Sequence, residues 1–229
     1  MKNQRSWIAL TVLLLAVCTT RAWADVYLEN RETLGGAKNA ASQAWVSDLA
    51  LRVDVQDRGH NLSYVYLRDL QRLRIIDHSA KTYRELGYVQ LQGEQARGYD
   101  IVPTLFSRLG EFTPINTRLC RFYQGLKHDK KTADVWTVDP RQLALSSDAY
   151  KTLQEARPFL QNYAPELAAF FNAGSRAWEA TDGYSGVLVK RTVYDSKGRP
   201  VQNLELGRAE ERAADPSLYQ TPAGYKKTS

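Results

Sequence analysis

The chain has 229 residues, with 31 lysines and arginines against 25 aspartates and glutamates and a formal net charge of +6. Three of the basic residues, Lys2, Arg5 and Arg21, lie in an N-terminal segment that we expect to be removed, so only a mild positive charge remains. That charge is too small, and too little interleaved with aromatic residues, for a nucleic-acid-binding protein. The length suits a single domain.

The N-terminal segment has the pattern of a secretory signal. Lys2 and Arg5 precede an apolar stretch over residues 7–17, and Ala22-Trp23-Ala24 supplies the small-x-small pattern of a cleavage site. The stretch is shorter than the roughly 20 apolar residues that a membrane-spanning helix needs. We therefore predict cleavage after Ala24, with residues 1–24 as the signal peptide, and export to a bacterial periplasm.

The two cysteines lead to different expectations. In an alternative reading the chain is a lipoprotein anchored through Cys18, which Val17 disfavours because that cut usually needs a small residue. Cys120 lies in a strand-like run and has no internal partner once Cys18 is removed, so we interpret it as a small buried hydrophobe. A disulfide between two chains is the remaining alternative to a free Cys120 thiol.

Short segments of alternating apolar and polar residues predict strands in the first half of the chain. A first strand is predicted over residues 25–28, and residues 32–42, which are rich in Gly, Ala, Asn and Ser, predict a loop. Tight polar connections join the later strands, which is typical of an antiparallel meander. These strands are predicted over residues 45–55, 62–67, 73–77 and 82–86.

The second half of the chain mixes helices with strands. We predict a short helix over residues 102–109 closed by Gly110, and two later helices, one capped by Ser147 or Asp148 and disturbed at Pro158, the other over residues 165–174. The predicted strands cover residues 119–123, 134–138, 186–194 and 201–206, with a long polar loop over residues 125–131 and a turn over residues 195–200. The tail from Asp215 is rich in Pro and Gly, and its aromatic residues are expected to pin it to the body.

Several segments resemble one family of bacterial proteins. They are Trp45-Val46-Ser47-Asp48, Arg74-Ile75-Ile76-Asp77, Leu119-Cys120-Arg121-Phe122-Tyr123, Val135-Trp136-Thr137-Val138-Asp139-Pro140 and Leu218-Tyr219-Gln220-Thr221-Pro222-Ala223-Gly224-Tyr225. The pattern resembles an uncharacterised periplasmic family that is similar to the outer-membrane lipoprotein carrier (LolA/LolB-like) superfamily. The resemblance implies an α+β fold, a curved antiparallel β half-barrel closed by helices. Residues 25–229 would form this single domain, with a helical region at about 141–174.

The sequence contains no recognisable catalytic or metal-binding motif. His60, His78 and His128 are scattered and lie in charged turns, so we predict exposed turn residues rather than metal ligands. Ser185 lacks the spacing of a nucleophile motif, and Gly35-Gly36 lacks the lysine and threonine of a phosphate-binding loop. We therefore predict no catalytic residue, no metal and no cofactor.

Aromatic residues on the predicted elements are the candidates for a ligand-binding wall. A curved sheet that its own side chains do not fill leaves an apolar space, although the same aromatic residues also suit an ordinary core. Arg52 is the candidate inward-facing charge, with an outward orientation as the alternative that alternation allows. The predicted ligand-binding residues are Arg52, Tyr64, Tyr66, Tyr83, Phe122, Trp136, Tyr150 and Phe170.

Three functions follow from this reading. The first is a periplasmic protein that binds a lipid, a lipidated peptide or lipoprotein, or another apolar small molecule. The second is an enzyme or accessory protein acting on a small apolar or aromatic compound in the same cavity. The third is an envelope sensor or assembly factor, peripheral to the membrane, that recognises a partner through a sheet edge or through the tail from Asp215.

Overall fold

A computed structural model describes residues 24–34, 39–57, 60–87, 105–115, 117–163 and 185–228. These residues form one open sheet of twelve strands in the order β12-β6-β5-β4-β3-β2-β1-β11-β10-β9-β8-β7. The strands are β1 (Ala24–Leu34), β2 (Asn39–Val46), β3 (Ala50–Asp57), β4 (His60–Leu67), β5 (Arg72–Asp77), β6 (Thr82–Gly87), β7 (Leu105–Ile115), β8 (Arg118–Lys127), β9 (Lys130–Val138), β10 (Val187–Tyr194), β11 (Pro200–Ala213) and β12 (Lys226–Lys227).

The sheet consists of two meanders that meet at β1. Strands β1 to β6 pair in chain order, and β7 to β11 pair in chain order from the other edge. The long β11 closes the gap by pairing with β1 from Ala24 opposite Ala213 to Leu34 opposite Gln202. Neighbouring strands are antiparallel except for the short parallel bridge between β12 and β6.

The helix α1 (Ser147–Tyr163) defines what we call the inner face of the sheet. It contacts β2, β3 and β5, and its buried residues Ala149, Leu153, Ala156, Phe159 and Leu160 belong to the main hydrophobic cluster. Alternate residues of the strands complete that cluster, as period-two side chains require. They include Val26, Leu28, Val46, Leu51, Val53, Tyr64, Tyr66, Leu73, Val135, Leu204 and Leu206.

Polar contacts fix the beginning of α1 on the sheet. The Ser146 hydroxyl accepts the Ala149 N–H at 2.9 Å as the helix cap and donates to the Asp48 carboxylate. The Thr152 hydroxyl donates to the Asp48 carbonyl at 2.6 Å, and Arg68 bonds the same carbonyl at 3.0 Å. The first two turns of the helix are therefore held to the turn between β2 and β3.

The segment after β11 crosses the opposite, outer face. Because β11 lies beside β1 and β12 lies beside β6, residues 214–228 run across the strands between them; we call this segment the C-terminal strap. A short 3-10 helix, Pro216–Tyr219, lies over β3, where Arg52 donates to the Leu218 carbonyl at 2.8 Å. Tyr219 donates to Asp25 at 2.9 Å, so the predicted pinning of the tail by its aromatic residues is confirmed.

The sequence predictions are confirmed for the strands and turns over residues 62–86 and for the β10–β11 hairpin. The predicted loop over residues 32–42 is wrong. Residues 32–34 belong to β1 and residues 39–42 belong to β2, while residues 35–38 lie outside the described residues. The two strands pair from Val26 opposite Val46 to Thr33 opposite Asn39. Pairing with β11 on the other side of β1 outweighs the loop-forming composition. The single predicted strand over residues 45–55 is also wrong, because Ser47 closes a turn with Ala50 there.

Three further predictions are corrected at β7–β9 and α1. The predicted helix over residues 102–109 is wrong from Leu105, where β7 begins; its pairing with β8 shifts register twice around Gly110, which obscures strand periodicity. The predicted long loop over residues 125–131 is wrong, because β8 and β9 pair up to Lys127 opposite Lys130 and leave a two-residue turn. Helix α1 is capped by Ser146 rather than by Ser147 or Asp148, and it continues past Pro158. The predicted helix over residues 165–174 lies outside the described residues, as do residues 1–23 of the predicted signal peptide over residues 1–24.

Candidate ligand-binding site

Two of the predicted ligand-binding residues lie in the packed part of the inner face. Tyr64 and Tyr66 are 1% and 2% exposed. The Tyr66 ring lies 5.3 Å from the Phe159 ring of α1, centroid to centroid. Burial raises the pKa of Tyr66 to about 12. Tyr66 and Phe159 together fill the space between β4 and the helix.

Tyr150 lies at the start of α1 and joins the helix to β10. Its ring packs against the inner cluster, and its hydroxyl donates to the Gly186 carbonyl at 3.4 Å. Gly186 has a φ of 102°, and a Cβ there would lie 2.4 Å from the Val138 carbonyl oxygen. The close approach of β9 and the positive φ both favour glycine at this position.

Phe122 and Trp136 form a pair on the other side of the sheet. They are register partners on β8 and β9, next to the inner-facing pair Tyr123 and Val135, so alternation directs them to the outer face. Their ring centroids are 4.9 Å apart, and Lys190 lies 5.7 Å from the Trp136 ring. Trp136 is partly buried and still packs against the main hydrophobic cluster.

Arg52 and Tyr83 also lie on the outer face. Arg52 bonds the Asp54 carboxylate at 2.7 Å from Nε and the Ser63 hydroxyl at 3.1 Å from Nη2. The inward orientation of Arg52 is therefore wrong and the outward alternative is confirmed, because Leu51 and Val53 take the inward positions of β3. Tyr83 lies 5.9 Å from the Arg74 guanidinium. Phe170 lies outside the described residues.

A row of inner-facing residues that the sequence analysis did not single out crosses the strands away from α1. Leu204 of β11 lies between two charged residues, with Glu32 of β1 opposite it on one side and Arg191 of β10 opposite it on the other. Arg191 in turn lies opposite Val135 of β9. Opposite residues of antiparallel neighbours share a face, so Glu32 and Arg191 lie on the inner face with Leu204. Glu32 is 6% exposed and Arg191 is 3% exposed. We call Glu32, Arg191 and Gln202 the polar row.

The polar row lies in an otherwise apolar surface. Gln202 donates to the Glu32 carboxylate at 2.6 Å. Asn30, two residues before Glu32 on the same face of β1, is also buried. The neighbouring inner positions carry Leu28, Leu206 and Val189. Charged side chains are seldom fully buried among apolar ones, so Glu32 and Arg191 are the distinctive polar groups of this face.

The surface can do two things chemically. Its aliphatic residues can bind an apolar chain, and the guanidinium, carboxylate and amide of the polar row can hydrogen-bond a polar group at one end of that chain. Among the described residues there is no group of His, Cys, Asp and Glu arranged for a metal ion. Cys120 is buried, as predicted, and burial raises the pKa of its thiol, which disfavours a nucleophilic thiolate.

No family model and no curated protein sequence matches the chain. Similar solved structures include an uncharacterised conserved protein from Thermus thermophilus, with a TM-score of 0.48 and 8% identity over 96% of this chain and 98% of that one. A LolA superfamily protein from Nitrosomonas europaea has a TM-score of 0.28 and 10% identity over 88% of this chain and 91% of that one. LolA superfamily proteins are among the similar structures.

A structure of the Pseudomonas aeruginosa MucA/MucB complex is also similar. It has a TM-score of 0.43 and 13% identity, and the match covers 88% of this chain and 57% of the chain it is compared with. In the part of the chain that the structure describes, no helix has the length and hydropathy of a membrane span.

His78 differs from the exposed turn residue that the sequence predicts. It is half-buried, with Nε2 2.7 Å from the Ser63 hydroxyl and Nδ1 3.1 Å from the Tyr225 hydroxyl of the C-terminal strap. The prediction was wrong because it considered only the local turn, whereas Tyr225 reaches His78 from the end of the chain. His128 is exposed in the β8–β9 turn as predicted.

Proposed function

We propose that this protein binds an amphipathic molecule, such as a lipid or a lipidated peptide, on the inner face of its sheet in a bacterial periplasm. The apolar part of the ligand lies along β1, β11 and β10, and its polar end meets the polar row. The observation that carries the proposal is the burial of Glu32 and Arg191 within an aliphatic surface.

The position of α1 supports this choice of site. The helix covers β2, β3 and β5, where Tyr66, Phe159 and Leu153 already fill the inner face. A ligand there would have to displace well-packed side chains, which costs several kcal/mol for large residues, roughly 3–5. The helix contacts β1, β10 and β11 much less than β2 and β3, so a ligand at the polar row would displace little of α1.

The periplasmic location rests on the predicted signal peptide cleaved after Ala24. We further propose that residues 25–229 form one domain whose open sheet curves as a half-barrel closed by helices, which is the fold that the sequence resemblance implies. In this arrangement the inner face is the concave side, where a ligand is shielded from water.

Native mass spectrometry of the processed protein, purified from an envelope fraction without detergent, tests the proposal. We expect a bound adduct whose extract contains an amphipathic molecule. The substitution Arg191→Met removes the guanidinium but keeps an apolar side chain. We expect it to weaken retention of the bound molecule about tenfold or more, since a hydrogen bond to a charged group contributes roughly 1.5–3 kcal/mol.

Arg208→Met is the matched control. Arg208 lies on β11 opposite Glu29, its side chain is 57% exposed, and it pairs with Glu210. We expect this variant to retain the adduct, with unchanged circular dichroism in both variants. Wild-type protein that carries no adduct and binds neither Nile red nor anilinonaphthalene sulfonate would contradict the proposed function.

A further inference from the structure

Three exposed leucines carry an observation that ligand binding on the inner face does not explain. Leu49, Leu70 and Leu119 are between 39% and 58% exposed. Among the large hydrophobic residues that the structure describes, Val201, at 40%, is the fourth exposed one. Single exposed apolar residues are common on protein surfaces, so the positions of these residues matter more than their number. We call Leu49, Leu70 and Leu119 the leucine rim.

The strand pairings place the whole leucine rim at one end of the sheet. Leu49 is in the turn from β2 to β3 and Leu70 is in the turn from β4 to β5, and the pairing of β3 with β4 brings these turns side by side. The pairings of β1, β11, β10 and β9 carry the same end across to the start of β8, where Leu119 lies. Val201, beside the β10–β11 turn, is at the opposite end.

Hydrogen bonds hold the first two leucines on ordered backbone. The Arg68 N–H donates to the Leu49 carbonyl at 2.9 Å, and the Arg68 guanidinium donates to the Asp48 carbonyl at 3.0 Å. Within the first turn, the Ser47 hydroxyl accepts the Ala50 N–H at 2.9 Å. Because the two turns are already ordered, docking them on a partner costs little additional conformational entropy.

The segment between β9 and α1 connects Leu119 to these turns. The Leu119 N–H donates to the Gln142 side-chain oxygen at 3.3 Å, and the Gln142 side-chain nitrogen donates to the Leu119 carbonyl at 3.3 Å. At the end of the same segment, Ser146 donates to the Asp48 carboxylate. The leucine rim is therefore one connected surface.

Ion pairs neutralise several of the charges beside the leucines. Arg68 bonds the Asp148 carboxylate at 3.1 Å, and Arg141 bonds the Asp139 carboxylate at 2.8 Å. Asp69, in the second turn, is exposed. The attraction of the rim for a partner is therefore apolar rather than electrostatic, and the Asp69 carboxylate keeps the contact shallow, since a charge is costly in an apolar interior.

The start of β1 lies at the same end of the sheet. Ala24 is opposite Ala213 of β11, and Val26 is opposite Val46, which is the last residue of β2 before the first leucine turn. The apolar stretch of the predicted signal, residues 7–17, ends seven positions before Ala24. Seven residues span at most about 25 Å, so a precursor held in the membrane by that stretch keeps the rim within this distance of the bilayer.

We propose that the leucine rim is a membrane-contact surface, through which the protein docks reversibly on a phospholipid bilayer. A bilayer interface accommodates leucines on separate turns with a carboxylate between them, whereas a stable protein interface has a continuous, closely packed core. The inference rests on the proposed export of the chain, but it does not depend on ligand binding at the polar row.

Flotation of the processed protein with vesicles of phosphatidylethanolamine and phosphatidylglycerol tests the docking. Leucines that reach only the interface bury less apolar surface than a myristoyl chain, whose binding constant is about 10⁴ M⁻¹, so lipid is used in large excess. We expect the combined substitutions Leu49→Ser, Leu70→Ser and Leu119→Ser to lower the partition coefficient about tenfold or more. Val201→Ser, which removes an equally exposed apolar residue at the opposite end, is the matched control and should change it less than about twofold.

A fluorescent label locates the contact in an otherwise unchanged protein. Leu70→Cys and Val201→Cys each provide one accessible thiol for an environment-sensitive fluorophore, because Cys120 is buried. We expect vesicles to shift the emission to the blue for the label at position 70 and to leave the label at position 201 unchanged. Arg191→Met should float like the wild type, so failure of the ligand site and failure of the rim give different results.

Several results would overturn the proposal. They are wild-type protein that does not float at any lipid concentration, a triple leucine variant that floats like the wild type, and a blue shift at position 201 alone. Self-association that the triple variant abolishes, in a protein that does not bind vesicles, would also overturn it and would assign the rim to a second copy of the chain.

Discussion

The inner face of the sheet is buried in two different ways along its length. Beneath α1, Tyr66 and Phe159 are each no more than 2% exposed and contact each other across the helix–sheet interface. Across β1, β11 and β10 the same face includes Glu32 and Arg191 at 6% and 3% exposed. Side chains complete the first region as an ordinary core, whereas the second keeps charges out of water, which a purely structural core avoids. We propose that this difference separates the scaffold from the ligand-binding site.

The largest expected effect is in the helix-covered region. Phe159→Ala removes a ring from a filled interface, and we expect it to lower the free energy of unfolding by about 3–5 kcal/mol. Urea denaturation followed by circular dichroism measures this change. Leu70→Ala, at a turn residue that is 58% exposed, should leave the midpoint nearly unchanged. A small effect of Phe159→Ala would contradict the scaffold role of this region.

A smaller loss is expected where the second region begins. Gly186→Ala introduces a Cβ at 2.4 Å from the Val138 carbonyl oxygen and at a φ of 102°. We expect a loss of about 1–3 kcal/mol in the free energy of unfolding, since strained backbone conformations cost this much. Gly198→Ala is the matched control: its φ is 75°, but nothing lies within 4 Å of its added Cβ. Equal losses in the two variants would show that contact with β9 is unimportant.

The smallest effect is a gain in the β8–β9 hairpin. His128 and Asp129 both have positive φ, 50° and 59°, which is typical of the type I′ turn that favours Asn-Gly. The double substitution His128→Asn and Asp129→Gly should raise the free energy of unfolding by about 0.5–1 kcal/mol. Thermal unfolding measures the gain, and the adduct that the wild type carries should be retained.

The sequence predicted most of the meander but little of the polar row. Strands over residues 62–86 were predictable because each has a strong alternation and a polar turn after it. Glu32 was missed because residues 32–42 have a loop-like composition, and pairing of β1 with β2 and with the distant β11 places Glu32 in a strand. Arg191 carried a usable signal, since Val193 occupies the next inward position of the same strand.

Long-range contacts explain the other differences. Nothing near His78 in sequence indicates Tyr225, which is 147 residues away, and Arg52 lies outward because its partners Asp54 and Ser63 are on that face. The Ser47–Ala50 turn interrupts the alternation of residues 45–55 where Asp48, Leu49, Ala50 and Leu51 break the pattern. Local periodicity thus predicts strands, while the inner or outer position of a charge depends on its cross-strand partners.

Photolabelling tests the central claim most directly. The processed protein would be mixed with a diazirine-bearing fatty acid, irradiated and digested, and the labelled peptides would be mapped by mass spectrometry. We predict label on inner-facing residues of β1, β10 and β11, reduced by Arg191→Met and unchanged by Arg208→Met. Label confined to the outer face would contradict the account, as would label on these strands that Arg191→Met does not reduce.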